Sequence, residues 1–467
     1  MAWLGKDGPA PLRLRDWGNL CLVLGGGKAS HGENSLRSLS MRTPWLAVLC
    51  CCLSLPAQGG LAKKSADADD KARSGPLRFT EFPVPEPAPL EVDVATKAAI
   101  AALLALQEGP DGDQWPYEGV YREDEGQLPV GYRVGGTAIA CLGLVAAPGF
   151  RDDAARVAAV GRGLTFVLRT LEAPRMQIAF EGTYDVRGWG HIYALEMLLQ
   201  LQDAQAIPED LHDAVQGKVE WLIQALVESA IPKAGGWNYS RPRGYLSAAN
   251  TASTFMTAPA LQALFHAKAR RHAVPDEVIT QALDALDRAR AKPGGYAYGA
   301  PAKSQNEVEE EDLPFMNLTP SSAARATVCE TTLLLAGRGD VGRLQTAIER
   351  FFTNWDALAV RKSKQGTHIK PYGIAPYYFL FGHLYAAQAI EQLPDVAKRD
   401  ELRARLRQVL ARSREADGSW NDRQFGRSGG YGTAFAIMTL HMPHLPKPCE
   451  WRPSAAPSAD TKAGAPK

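Results

Sequence analysis

Two carboxylates stand out by where they sit. Glu196 and Glu330 each lie inside a largely apolar segment with a helical period, 190–201 and 322–335. A carboxylate in such a place must be paired, protonated or in contact with water, and these are the conditions for general acid or base work. His191 precedes Glu196 on the same segment, and Tyr184, Asp185 and Trp189 stand just before it. A second group, His368, Tyr372, Tyr377, Tyr378 and His383, gathers around a later apolar segment, and Trp237 follows Gly235-Gly236. The candidate catalytic residues are therefore Glu196, Glu330, His191 and Asp185. The candidate ligand contacts are Trp189, Tyr184, Trp237, Tyr372, Tyr377, Tyr378 and His383. Aromatic faces of this kind suit a polyisoprenoid or a sugar ring equally. The competing reading is structural, with the carboxylates satisfying loop amides or helix ends and the rings simply packing.

Positioning these residues falls to helices, because nearly every apolar segment from 92 to 445 has the helical rather than the alternating period. The spacing predicts twelve: Ala95–Gln107, the Gly136 helix, Asp153–Leu171, Gly190–Leu201, Leu211–Ser229, Asn250–Ala267, Asp276–Ala291, Ser322–Leu335, Val341–Asn354, Pro376–Leu393, Lys398–Arg414 and the Gly432 helix. A pattern recurs across them. Asp417-Gly418-Ser419-Trp420 precedes Gly432-Thr433-Ala434, and Asp111-Gly112-Asp113-Gln114-Trp115 precedes Gly136-Thr137-Ala138. Connections from odd to even helices carry a Gly/aromatic turn, while those from even to odd are mostly short and polar. Even helices open on small residues, which let helices crowd at a narrow centre. The fold predicted is all-α: an α/α toroid of six helical hairpins, with the small-residue helices as the inner ring and their amphipathic partners outside.

The Gly/aromatic turn followed by a small-residue helix resembles the prenyltransferase and squalene-cyclase repeat over roughly residues 95–440, most closely at Gly235–Tyr239, Asp417–Trp420 and the Gly432 helix. Tyr377-Tyr378-Phe379 ahead of Tyr385–Ala389, and the Gly190-His191 helix start, are similar to an exported bacterial branch described as squalene-cyclase-like repeat proteins. The resemblance implies a central cavity; members of the superfamily include terpene cyclases, protein prenyltransferases and thioester proteins, so the activity stays open. The cyclase acid cluster has its spelling at Asp67-Ala68-Asp69-Asp70, but in a solvated, lysine-flanked linker where nothing would raise a pKa. The acidic run 307–312 reads as a solvated insertion. The prenyltransferase zinc set would draw on Cys329 and His383, but Thr327 stands where its Asp belongs, and the thioester Cys-Gly-Glu-Gln does not occur. No metal and no cofactor are expected.

Gly426-Arg427-Ser428-Gly429-Gly430 spells a nucleophile elbow but lacks the strand that device needs, and Gly25-Gly26-Gly27-Lys28 lacks the phosphate-loop spacing. A net charge of +1 over 467 residues gives no support for a nucleic-acid partner or an anionic membrane surface. The basic start at Met41, the short apolar run 44–55 and the small residues Ala57 and Gly59 read as a signal peptide too short to span a bilayer. The organisation expected is a start-site artefact over 1–40, a signal peptide over 41–59, a disordered linker over 60–91, the toroid over 92–445 and a disordered tail over 446–467. The protein would be exported, periplasmic or extracellular. Its cavity would bind a small hydrophobic, isoprenoid-like or peptide-like molecule; the alternatives are an active terpenoid cyclase or isomerase, and a glycan-active lyase or hydrolase.

Overall fold

Two kinds of helix alternate along the chain, as the two kinds of apolar pattern require. On the outer kind the buried residues fall three and four apart, as in Ile279, Leu283 and Leu286 or Leu344, Ile348 and Phe351. On the inner kind burial runs all the way round, as from Ser321 to Leu333. The computed structural model describes residues 89–117, 128–180, 186–239, 251–291, 294–301, 303–305, 307–362, 373–375, 377–422 and 427–453. The segments expected as start-site artefact, signal peptide and most of the linker lie outside them, as do Tyr184, Asp185, His368, Tyr372 and the residues from 454 onward.

Among the described residues there are thirteen α-helices and no strand. They are α1 (Val92–Ala105), α2 (Val130–Ala146), α3 (Ala154–Thr170), α4 (Arg187–Asp203), α5 (His212–Ser229), α6 (Thr254–Ala269), α7 (Asp276–Ala289), α8 (Thr319–Leu335), α9 (Val341–Thr353), α10 (Trp355–Arg361), α11 (Tyr378–Ile390), α12 (Val396–Ala411) and α13 (Ser428–His441). Helices α2, α4, α6, α8, α11 and α13 pack each on the next, and α13 packs back on α2, which closes the inner ring of an α/α toroid. Each outer helix rests mainly on the inner helix that precedes it: α3 on α2, α5 on α4, α7 on α6, α9 on α8 and α12 on α11, with α1 resting on α13. The ring closes tightly because small residues meet there. A Cβ on Gly143 of α2 would lie 2.7 Å from the Ala434 Cα of α13, and one on Gly382 of α11 2.9 Å from the Ala324 Cβ of α8.

The Gly/Trp turns lock outer to inner helices by one repeated device. The indole N–H of Trp115 donates to Leu103 O (2.7 Å), that of Trp237 to Leu226 O (2.8 Å) and that of Trp420 to Leu410 O (3.0 Å), near the ends of α1, α5 and α12. The backbone N–H of the same three residues donates to the hydroxyls of Thr137, Thr257 and Thr433 on α2, α6 and α13, at 2.9, 3.1 and 3.0 Å. The glycine before two of these threonines is required by space. A Cβ on Gly136 would stand 2.4 Å from Trp115 O, and one on Gly432 2.5 Å from Trp420 O.

The structure corrects several boundaries. Gly136-Thr137 and Gly432-Thr433 are not helix entries; α2 and α13 begin earlier, at Val130 and Ser428, through glycine-rich turns that low helix propensity made look like loop. Helix α10 was missed; Trp355 opens it and is buried. Residues 446–453 are a strap rather than part of a tail: Trp451 is 4% exposed, stacks on Phe265 with ring centroids 6.0 Å apart, and donates its backbone N–H to Leu335 O (3.1 Å). A single buried aromatic outweighed the Pro-rich composition around it.

If the turn device holds the rings together, Trp420→Phe keeps the ring's bulk and leaves the Leu410 carbonyl without its indole donor. Leu410 O keeps the Ser413 N–H (3.1 Å) and Oγ (2.8 Å) as donors, so the expected loss is about 0.5–1.5 kcal/mol, the net worth of one hydrogen bond. It would be read as a lowered midpoint in urea unfolding, and an unchanged midpoint would mean the hydrogen bond is dispensable.

Candidate aromatic site at the ring mouth

The first turns of the inner helices all open at one end of the toroid, and aromatic side chains occupy most of them. Tyr132 of α2, Trp189 of α4, Phe255 of α6, Tyr377 at the start of α11 and Tyr431 of α13, joined by Tyr117 and Tyr239, line a cup of about 300 Å³ of atom-free space, part of it open to solvent. Tyr117 and Tyr239 each stand two residues after a turn tryptophan, so the device that joins the rings also delivers two of the seven lining residues. Neighbouring rings meet edge-on or tilted: Tyr117 with Tyr132 at 5.4 Å, Tyr132 with Trp189 at 5.7 Å, Tyr117 with Tyr431 at 4.7 Å and Phe255 with Tyr377 at 5.1 Å. The Tyr431 phenol is turned into the wall. It donates to Tyr377 O (3.1 Å).

Below the cup the axis is filled. Tyr193 lies one turn under Trp189 (5.2 Å), Phe435 under Tyr431 (4.4 Å), Phe381 under Phe255 (4.4 Å) and Tyr385 under Phe381 (4.5 Å). Deeper still the lining turns polar. Gln262 donates to Thr332 (3.0 Å) and Gln388 (2.9 Å) across three inner helices. Glu196 accepts from Gln200 (2.6 Å) and faces His266 (3.3 Å), whose other ring nitrogen is 2.8 Å from Asp203; Arg270 also pairs with Asp203. Burial opposes the charged form of His266, but the Glu196 and Asp203 carboxylates outweigh it and lift its pKa to about 9.

The expected residues are thus dispersed. Trp189 and Tyr377 reach the cup. Tyr378 stands behind its wall, under the Arg325 guanidinium at 5.0 Å. Trp237 is spent on its turn. Glu196 lies at the far, polar end of the axis. Glu330 does not share the centre with it: Tyr296 Oη donates to Oε1 (2.9 Å), Arg290 to Oε2 (2.8 Å) and Arg343 to Oε1 (3.0 Å), all from the outer side of α8. His191 is buried between α4 and α5, with Nε2 2.9 Å from Met176 O and its ring 5.3 Å edge-on from Trp221. His383 accepts from Trp355 Nε1 (2.9 Å), so its Nδ1–H donates to Phe379 O (2.8 Å). Burial pushes both histidines down to about 4. Tyr184, Asp185 and Tyr372 lie outside the described residues. The sequence reading missed Tyr117, Tyr132, Tyr239, Phe255 and Tyr431; the Trp-x-Tyr spacing at 115/117 and 237/239 was the available signal. No group of three or more potential metal ligands occurs among the described residues, and none of the described helices is long and apolar enough to cross a membrane.

No protein-family description matches the chain, and no curated protein matches it. Among solved structures it is similar to the type II terpene cyclase MstE from Scytonema, in complex with geranylgeranyl dihydroxybenzoate, with a TM-score of 0.43 and 15% identity over 76% of this chain and 98% of that one. It is similar too to the GH76A α-1,6-mannanase of Salegentibacter, with a TM-score of 0.44 and 10% identity over 75% and 98%. A possible GH105 member from Salmonella enterica gives 0.43 and 12% over 75% and 93%.

The polar base predicts a pH dependence. His266 has a folded pKa above its ordinary value of about 6.5, so its ion pairs stabilise the fold fully below that pH and are lost as pH rises through about 9. The stability gap between wild type and His266→Gln, measured by urea unfolding, should shrink between pH 6.5 and pH 10. A gap that stays constant would show that the imidazole is not charged at neutral pH.

Proposed function

We propose that the protein binds a small apolar molecule, isoprenoid-like in character, in the aromatic cup at the mouth of its inner ring. The observation that carries this reading is the lining itself: seven aromatic side chains, with the Tyr431 phenol tied to the Tyr377 carbonyl in the wall. A sugar would need in-plane hydrogen-bond partners as well as a stacking face, whereas an apolar ligand needs only the surface these rings offer. The filled axis makes the cup a terminal pocket, so a ligand would be held at the mouth and not threaded through the ring. Catalysis is not assigned to the cup. Glu196 lies about two turns below Trp189 on α4, engaged by His266 and Gln200, and Glu330 is engaged on the outer side of α8. Export is part of the proposal, supported by the basic, apolar and small-residue pattern from Met41 to Gly59.

Titration of the full chain with geranylgeraniol, followed by tryptophan fluorescence, tests the reading. Binding should perturb Trp189, and Trp189→Ala or Tyr431→Ala should weaken it by about tenfold or more, as expected for removing one large buried apolar contact. Trp189→Phe should retain most of the affinity. Preferential binding of a manno-oligosaccharide, or a Trp189→Ala variant that binds geranylgeraniol as wild type does, would overturn the proposal.

A further inference from the structure

The opposite end of the toroid holds a second pocket, separate from the cup. It is a groove open to solvent, between the C-terminal turns of α11 and α13 and one face of α12. Its wall is mostly aliphatic, with Ile390, Leu406, Leu410 and Met442 prominent, and three charged residues reach it: Glu391, Arg403 and Arg407. The Glu391 carboxylate is already occupied. Arg403 donates to it from Nε (2.7 Å) and again from Nη2, while its Nη1 serves Asp400 (2.7 Å).

Helix α12 is rich in arginine, and its other guanidiniums show what a structural arginine does here. Arg399 donates to Leu393 O (2.6 Å), Arg405 lies 4.4 Å over the Phe352 ring, and Arg412, just past the helix end, lies 4.6 Å over Trp355. Arg407 is half-buried and, among the described residues, has no hydrogen bond, ion pair or aromatic face. It is not needed to cap α11 either, because the N–H groups of Glu391, Gln392 and Leu393 already donate to Ala387 O, Ala389 O and Ile390 O at 3.2, 3.1 and 3.1 Å. Arg407 keeps part of its surface in water, so its guanidinium is open to an incoming anion. Arg403 is shared between Glu391 and Asp400, so among the described lining residues Arg407 is left to meet a ligand, and a single guanidinium suits a single carboxylate.

We propose that this pocket binds a linear aliphatic carboxylate. The chain lies along Leu406, Leu410, Ile390 and Met442, and the carboxylate sits in the guanidinium fork of Arg407. Isothermal titration of the full chain with decanoate and with decan-1-ol separates the head from the tail. Wild type should bind decanoate more tightly than the alcohol. Arg407→Gln should weaken decanoate by about tenfold or more, the weight of a hydrogen-bonded charge pair, while leaving the alcohol unchanged. Circular dichroism verifies that the variant is folded; should it not be, Arg407→Lys takes its place, keeping the charge without the fork and holding decanoate more weakly than wild type. Equal binding of acid and alcohol by wild type, no binding of decanoate, or an Arg407→Gln variant that binds decanoate unchanged would overturn the proposal.

Discussion

An indole N–H given to a carbonyl near the end of an outer helix is the contact on which the two rings depend. The last carbonyls of a helix have no partner within it, and a buried one left bare is costly. Trp115, Trp237 and Trp420 each add an indole donor to a carbonyl that also accepts a backbone N–H from the following turn and, through their own backbone N–H, hold a threonine on an inner helix. One residue thereby fixes the distance and the angle between two elements. The consequence reaches the mouth of the ring: two residues further on, Tyr117 and Tyr239 enter the cup lining. The same turns therefore account for both the closed fold and part of its candidate site.

A buried carboxylate on an inner helix needs partners from the outer layer. Glu330 is 2% exposed, and it is tolerated there because Tyr296, Arg290 and Arg343 surround it from the outer layer. Removing a single partner would leave a buried carboxylate under-compensated, which is why such groups come as networks.

The helical period and the Gly/aromatic turns made the ring legible in the sequence, because both are local signals. Helix α7 and helix α9 show their buried face directly in the spacing of Ile279, Leu283 and Leu286 or Leu344, Ile348 and Phe351. The cup was not legible. Tyr132, Phe255 and Tyr431 look like any aromatic on an apolar helix, and only closure of the ring brings them to one mouth. Glu196 and Glu330 looked equivalent, since both lie on inner helices; which way each points depends on helix rotation, and that is set by contacts such as Gly143 against Ala434. Trp451 was hidden by its Pro-rich surroundings, for burial against Phe265 is a long-range event that composition does not record.

The two ends of the inner ring differ for a reason built into its parallel arrangement. Helix N-termini carry partial positive charge and C-termini partial negative charge, about half an elementary charge each. No side-chain cap covers the start of any of the six inner helices. Aromatic residues occupy that end instead, which places an apolar surface over the exposed amides. At the other end His266 and Arg270 bring positive charge to the last turn of α6 and its cap, matching the dipole there, and in turn hold Glu196 and Asp203 of α4, which oppose it. Those four groups sum to zero when His266 is protonated. The mouth of the ring thus carries an apolar face, and the base of its axis a closed set of ion pairs.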